Sequence, residues 1–128
     1  MHIQHFGSVT LAVCDHLLPA TTSALPALAE AKRILARNAP FTYHAINLSQ
    51  NGQPHYLIET GDDQTQFTLP AGDYATFKMT RANRLALDQF IQQAYATIAQ
   101  AGYRPAGNYN LETLSNSTFT VQIPVAKA

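Results

Sequence analysis

The sequence predicts an α+β fold built from two βαββ units related by an internal pseudo-twofold axis, with antiparallel sheets and a ligand cleft at the seam. Three observations predict it. Two segments carry apolar residues at helical spacing, the segments around them alternate apolar with polar side chains, and the order strand, helix, strand, strand occurs twice. A unit of about sixty residues cannot bury both its helix and its sheet well, so the two units are expected to pack on each other.

The first strand is read at 9–13, where Val9, Leu11 and Val13 alternate with Thr10 and Ala12. A helix follows over about 23–37, with Ala24, Leu28, Ala31 and Leu35 on one face. Pro26 is tolerable there because it falls in the first turn, and Pro40 blocks continuation. Strands at 42–48 and 55–60 are joined through Gln50-Asn51-Gly52-Gln53, where Asn-Gly accepts the positive φ of a hairpin turn. The join between units is read as Gly61-Asp62-Asp63 followed by the stretch from Phe67 through Asp73.

In the second unit Ala75, Phe77 and Met79 alternate with Tyr74, Thr76 and Lys78 as a strand. The strongest helix covers about 80–101. Leu87, Phe90, Ile91, Ala94, Ile98 and Ala101 form its stripe, Thr80 is its expected N-cap, and Gly102 its left-handed C-terminal residue. A strand at 109–114 turns through Ser115-Asn116-Ser117 into a last strand carrying Phe119, Val121, Ile123 and Val125. Pro124 suggests that this strand ends there or runs along an edge. The N-terminus, including His2 and His5, is expected to be mobile.

Composition fits one domain, residues 1–128, with repeats at about 1–66 and 67–128. The chain has 128 residues and is 46% hydrophobic, which excludes a disordered tail and allows a core without disulfide or structural metal. Only 12% of residues are charged, and eight Lys+Arg balance eight Asp+Glu. With no net positive field there is little counterion release to drive phosphate binding, so direct nucleic-acid contact is not expected. The basic groups Lys32-Arg33 with Arg37, and Arg81 with Arg84, are read as solvated helix faces. No run approaches the roughly 20 apolar residues of a membrane span. The N-terminus lacks a basic region followed by an apolar one, so a cytoplasmic location without a membrane partner is expected.

Several segments together carry a resemblance. They are Leu69-Pro70-Ala71-Gly72-Asp73-Tyr74-Ala75-Thr76-Phe77, the helix after it, Ala101-Gly102-Tyr103, Asn110-Leu111-Glu112-Thr113-Leu114, and Val121-Gln122-Ile123-Pro124-Val125. They resemble the GyrI-like effector-binding domain, found at the C-terminus of AraC-type and MerR-type bacterial regulators and as stand-alone proteins. The second half carries nearly all of the similarity; the first contributes element order and the Tyr56-Leu57-Ile58-Glu59 strand. The resemblance implies the double βαββ fold and a stand-alone sensor or sequestering protein for lipophilic, aromatic or cationic small molecules, linked to transcription regulation or drug response. It places Glu112 at the heart of the cleft. Leu114 stands where the family commonly has an aromatic residue. Some family members hydrolyse electrophilic small molecules through the same Glu, and some inhibit gyrase, so a Glu112-dependent hydrolase and a protein-interaction module are the alternatives. A protein partner or a homodimer is compatible with each.

Alternation places Glu112 with Asn110 and Leu114, opposite Tyr109 and Leu111. Tyr74, Tyr56, Tyr109 and Phe67 are the aromatic candidates for ligand contact, Tyr74 and Tyr56 foremost. A buried Glu112 is expected to lack a fixed cationic partner, and so to serve ligand recognition more than stability. The five histidines show no metal-ligand spacing, and no cofactor or metal is expected. Cys14 and His16 would share a face only if their strand continued past Val13.

Overall fold

The computed structural model describes residues 1–60 and 65–128. The expected join at Gly61-Asp62-Asp63 lies outside the described residues. In chain order the elements are β1 His2–Phe6, β2 Val9–Leu17, α1 Leu25–Leu35, β3 Tyr43–Gln50, β4 Gln53–Glu59, β5 Thr65–Leu69, β6 Gly72–Thr80, α2 Arg84–Gln100, β7 Tyr103–Pro105, β8 Tyr109–Leu114 and β9 Thr118–Lys127. A short 3-10 turn, Ala20–Ser23, precedes α1.

The strands form a strongly curled antiparallel sheet in the order β1-β6-β9-β8-β3-β4-β2-β5, with β7 paired to the far end of β9. The predicted α+β class and both helices are present. The seam between the halves is the β3–β8 pair, which joins the strands of both halves into one sheet. The order sets β6, β9 and β8 together on one side of the seam and β3, β4 and β2 on the other. Its ends are crossed. β1 pairs with β6 of the second half, and β5 pairs with β2 of the first.

Three strands were not expected: β1, β5 and the three-residue β7. β1 replaces the mobile terminus, pairing His2 to Phe6 against Thr76 to Gly72 and setting Ile3 into the core. β5 occupies part of the expected join, so the repeat boundary drawn at 66 and 67 falls inside a strand. Both are edge or near-edge strands with few inward apolar residues, so alternation in them is short. β2 runs on to Leu17, and Cys14 and His16 therefore do share a face.

Helix ends follow capping chemistry. α2 is capped by Asn83, whose side chain accepts from the Ala86 N–H at 2.9 Å, while the expected cap Thr80 is still in β6, paired with Thr118. Gly102 has φ of +84°, as expected of a residue just past a helix end. Asn51 and Gly52 have φ of 54° and 76°, so the β3–β4 hairpin has the double positive-φ turn that suits the strand twist. Pro124 neither ends β9 nor marks its edge. It lies just beyond Gln122, where pairing with β8 stops, so its missing N–H breaks no ladder on that side.

Both helices lie on one sheet face and contact each other. Leu87, Ile91, Ala94 and Ile98 of α2 pack with Phe119, Val121 and Ile123 of β9, and Ala45, Tyr56 and Ile58 lie beneath α1. The opposite face forms a third cluster from Val13, Ile46, Leu57, Leu69, Tyr74 and Tyr109. The sheet curls toward that face. Phe67 of β5 meets Tyr109 of β8 with ring centroids 5.7 Å apart, although β3, β4 and β2 lie between their strands.

Candidate functional site

Glu112 sits mid-strand on β8, opposite Ala45 of β3, at the seam. Its alternation is as expected: Asn110, Glu112 and Leu114 face the helices, while Tyr109 and Leu111 face the curled interior. The side chain is 0% exposed. A carboxylate so placed must find donors within the protein. Oε1 accepts from Tyr56 Oη at 2.7 Å and Arg84 Nη1 at 2.9 Å; Oε2 accepts from Asn47 Nδ2 at 2.8 Å, and from Lys32 Nζ and Arg84 Nη2 at 3.0 Å each.

Four elements converge to make these bonds. β4 supplies Tyr56, which stands opposite Asn47 of β3 and reaches across that strand to Glu112 of β8. β3 supplies Asn47, α1 supplies Lys32, and α2 supplies Arg84 and Asp88. Asp88 is buried too, accepting from Lys32 Nζ at 2.7 Å and from Arg84 Nε and Nη2 at 3.1 and 2.9 Å. Two cations and two carboxylates form a closed, neutral cluster, with Arg84 forked onto both acids.

This corrects two expectations. Lys32 is only 2% exposed and Arg84 is largely covered, so neither belongs to a solvated helix face, although Arg33 beside Lys32 does. Glu112 has two fixed cationic partners where none was expected. The missed residues were detectable. Lys32 follows Leu28 by four on the apolar stripe of α1, and Asp88 lies between Leu87 and Ile91 on that of α2. A charge within an apolar stripe needs a partner inside.

The electrostatics follow from burial and charge. Burial alone would raise the Glu112 pKa, but the charges of Arg84 and then Lys32, with hydrogen bonds from Arg84 and Tyr56, hold it well below the usual carboxylate range. The same burial, with the Glu112 charge beside it, pushes the Tyr56 hydroxyl well above its ordinary value. Burial would lower the Arg84 pKa, yet Glu112, Tyr56 and Asp88 raise it well beyond its normal range. Glu112 is therefore ionised and Tyr56 neutral.

Two clefts flank the cluster. One, of about 290 Å³, lies between the helices above the seam and is walled by Leu25, Leu28, Ile91 and Tyr95, with Asn47, Asn110, Lys32 and Asp88 as polar groups. Asn110 donates to Tyr95 Oη at 3.0 Å and accepts from Asn47 at 2.7 Å, so a hydrogen-bonded line runs from the cleft wall to Glu112. The other cleft, of about 260 Å³, lies on the far side of Lys32 and is lined by Tyr43, Arg81, Arg84 and Leu87.

The five expected site residues divide between the two faces. Glu112 and Tyr56 are bonded to each other on the helix side. Tyr74, Tyr109 and Phe67 lie on the opposite side, where the Tyr74 and Tyr109 hydroxyls are 2.7 Å apart and Tyr74 donates to the Pro70 carbonyl at 2.6 Å. Tyr74 also lines an apolar cavity of about 220 Å³ with Phe6, Leu11, Leu69 and Leu111. Cys14 and His16 line a separate groove with Glu59 and Tyr43. Among the described residues no His/Cys/Asp/Glu group could hold a metal, and no helix is long and apolar enough to cross a membrane.

No family model matches the chain, and no curated protein matches it in sequence. Solved structures do match in fold. SAV2435 bound to tetraphenylphosphonium superposes with a TM-score of 0.71 at 17% identity, covering 98% of this chain and 93% of that one. A Staphylococcus aureus MU50 protein assigned provisionally to bacterial transcription regulation gives 0.68 at 16% identity, covering 97% and 96%. The Vibrio cholerae integron cassette protein VCH_CASS2 gives 0.63 at 16% identity, covering 98% and 95%. At these identities the likeness is one of fold.

Proposed function

We propose that the protein binds a small lipophilic or aromatic molecule in the cleft between α1 and α2, as a sensor or sequestering protein linked to transcription regulation or drug response. The observation that carries this reading is the convergence on one cleft of polar groups from both halves: Asn47 and Lys32 from the first, Asn110, Asp88 and Tyr95 from the second, among apolar walls. Few oriented polar groups within an apolar concavity are the usual makeup of a ligand site. The fold likeness to a protein that binds tetraphenylphosphonium, and to one assigned to transcription regulation, supports the same reading.

Turnover by Glu112 is less well supported. A general acid must carry a proton, and this carboxylate is held ionised. A general base must reach water or substrate, and both oxygens are already occupied by donors beneath a closed surface.

Gln92 is exposed at the cleft rim, and the chain contains no Trp. Gln92→Trp therefore narrows the mouth and adds a fluorescent reporter there. In a thermal-shift screen of aromatic amides, phenols and lipophilic ions, a true ligand raises the wild-type midpoint by mass action. It should lose at least tenfold in affinity for Gln92→Trp. A ligand that binds both proteins equally would place the site elsewhere, and a panel without a single saturable binder would remove the reading.

A further inference from the structure

The Lys32 ammonium occupies a setting made for a cation. Its Nζ lies 2.7 Å from Asp88 Oδ1, 3.0 Å from Glu112 Oε2 and 4.9 Å from the centroid of the Tyr56 ring. Two carboxylates and an aromatic face are the groups that recognise a bound organic cation, and burial strengthens each of these attractions. Here they are filled from within the chain. Lys32 is also a partition: it lines the cleft of about 290 Å³ on one side and the cleft of about 260 Å³ on the other. Either space is smaller than most ligand sites; joined, the two fall within the range of roughly 300–1,000 Å³ such sites span.

We propose that Lys32 is the specificity-determining residue of the interhelical cleft. By filling the cation subsite between Glu112, Asp88 and Tyr56 it reserves the open cleft for uncharged ligands with a hydrogen-bonding group, and excludes lipophilic cations. This rests on the cleft being a ligand site. Charge balance supplies the reason. With Lys32 in place the cluster is neutral, so an entering cation gains no net attraction and must also desolvate. Without Lys32, Arg84 alone faces two carboxylates, leaving one negative charge at the floor of a longer channel. The uncharged ligand is met by Asn47, Asn110 and Tyr95, which do not depend on Lys32.

The test uses two probes, tetraphenylphosphonium for the cation and benzamide for the neutral class, titrated by calorimetry into the wild-type protein, Lys32→Ala, Lys32→Met and Lys32→Ala/Glu112→Gln. The wild type should show no saturable binding of tetraphenylphosphonium. Lys32→Ala should bind it at least tenfold more tightly than the wild type, Lys32→Met should gain less because its side chain still fills the partition, and the double variant should lose the gain. Lys32→Met, which keeps the packing, guards against a Lys32→Ala chain that does not fold. Saturable binding of tetraphenylphosphonium by the wild type, equal to that of the variants, overturns the proposal and leaves the cleft standing as a ligand site. A folded Lys32→Met or Lys32→Ala without any gain also overturns it. Benzamide and the wider neutral panel on the wild type test the cleft itself, so the two failures are distinguishable.

Discussion

The Tyr56 hydroxyl donates to Glu112 at 2.7 Å although the two residues stand 56 apart in sequence and on strands separated by β3. That single bond ties the first half of the chain to the second beneath both helices. Arg84 Nη1 approaches the same hydroxyl at 3.3 Å, so Tyr56 is both donor to the acid and neighbour to its cation.

Tyr56→Phe removes one of the donors on Glu112 and leaves the ring, its packing and the cation–π contacts in place. A hydrogen bond to a charged group contributes about 1.5–3 kcal/mol, and Arg84 Nη1 still satisfies the orphaned oxygen, so the lower end applies. Urea unfolding of Tyr56→Phe should show a loss of about 1.5 kcal/mol with an unchanged m-value. Tyr74→Phe, whose hydroxyl serves a neutral carbonyl and the Tyr109 hydroxyl, should lose less.

Glu112→Gln should destabilise. With no cationic partner, replacement would have been neutral or favourable, but here it leaves Lys32 and Arg84 sharing Asp88 in a closed space. Removing one partner of a buried pair costs about 3–5 kcal/mol. Asp88 and the retained amide hydrogen bonds place the expected loss near about 3 kcal/mol, measured by denaturant unfolding. Equal stability of the two proteins would show that the cluster supplies none of the fold's stability.

The pH dependence has a definite sign. Glu112 is held below its ordinary pKa in the folded state, so the unfolded chain binds the extra proton first as pH falls. The stabilisation is fully present above the unfolded carboxylate value of about 4.3 and is lost as pH drops through and below it. Wild-type stability should therefore fall steeply with acidification below about pH 4.5, and Glu112→Gln should flatten that slope. Parallel slopes for the two proteins would contradict the assignment of the low pKa to Glu112.

Both helices and six strands were legible in the sequence, the helices and three of the strands because their inward positions repeat at fixed periods, the other three strands through the turns that join them. β1 and β5 were not, since an edge strand such as His2–Phe6 buries little on either face and its pairing partner lies about seventy residues away. The site was legible in part. Glu112 stood out through resemblance, and Tyr56 through its strand, but Lys32, Arg84 and Asp88 were hidden by the habit of assigning charges on helices to solvent. Each stands within a turn of a stripe leucine, Lys32 four after Leu28, Arg84 three before Leu87 and Asp88 next to it, and that signal was present in the chain. What periodicity cannot supply is which helix faces which strand across the seam. That knowledge comes only from strand order, and it is strand order that puts α1 and α2 over the same carboxylate.

Arg84→Lys tests whether geometry, beyond charge, holds the cluster. The guanidinium presents Nη1 and Nη2 to the two oxygens of Glu112, and Nε and Nη2 to the two oxygens of Asp88, so one planar group bridges both acids. A lysine ammonium keeps the charge but is a point donor on a flexible stem, and cannot match two carboxylates in this way. It would also bring a second ammonium beside Lys32 Nζ, which already contacts both acids. The substitution should cost about 2 kcal/mol through unmade charge-assisted bonds, each worth about 1.5–3 kcal/mol, partly offset by water entering from the cleft that Arg84 lines. Arg84→Met, which removes the charge as well, should cost more, because Lys32 is then the only cation facing two buried carboxylates. Denaturant unfolding of the three proteins should rank wild type above Arg84→Lys above Arg84→Met. Coincident curves for wild type and Arg84→Lys would mean that net charge alone, and not the forked geometry, keeps Glu112 and Asp88 together.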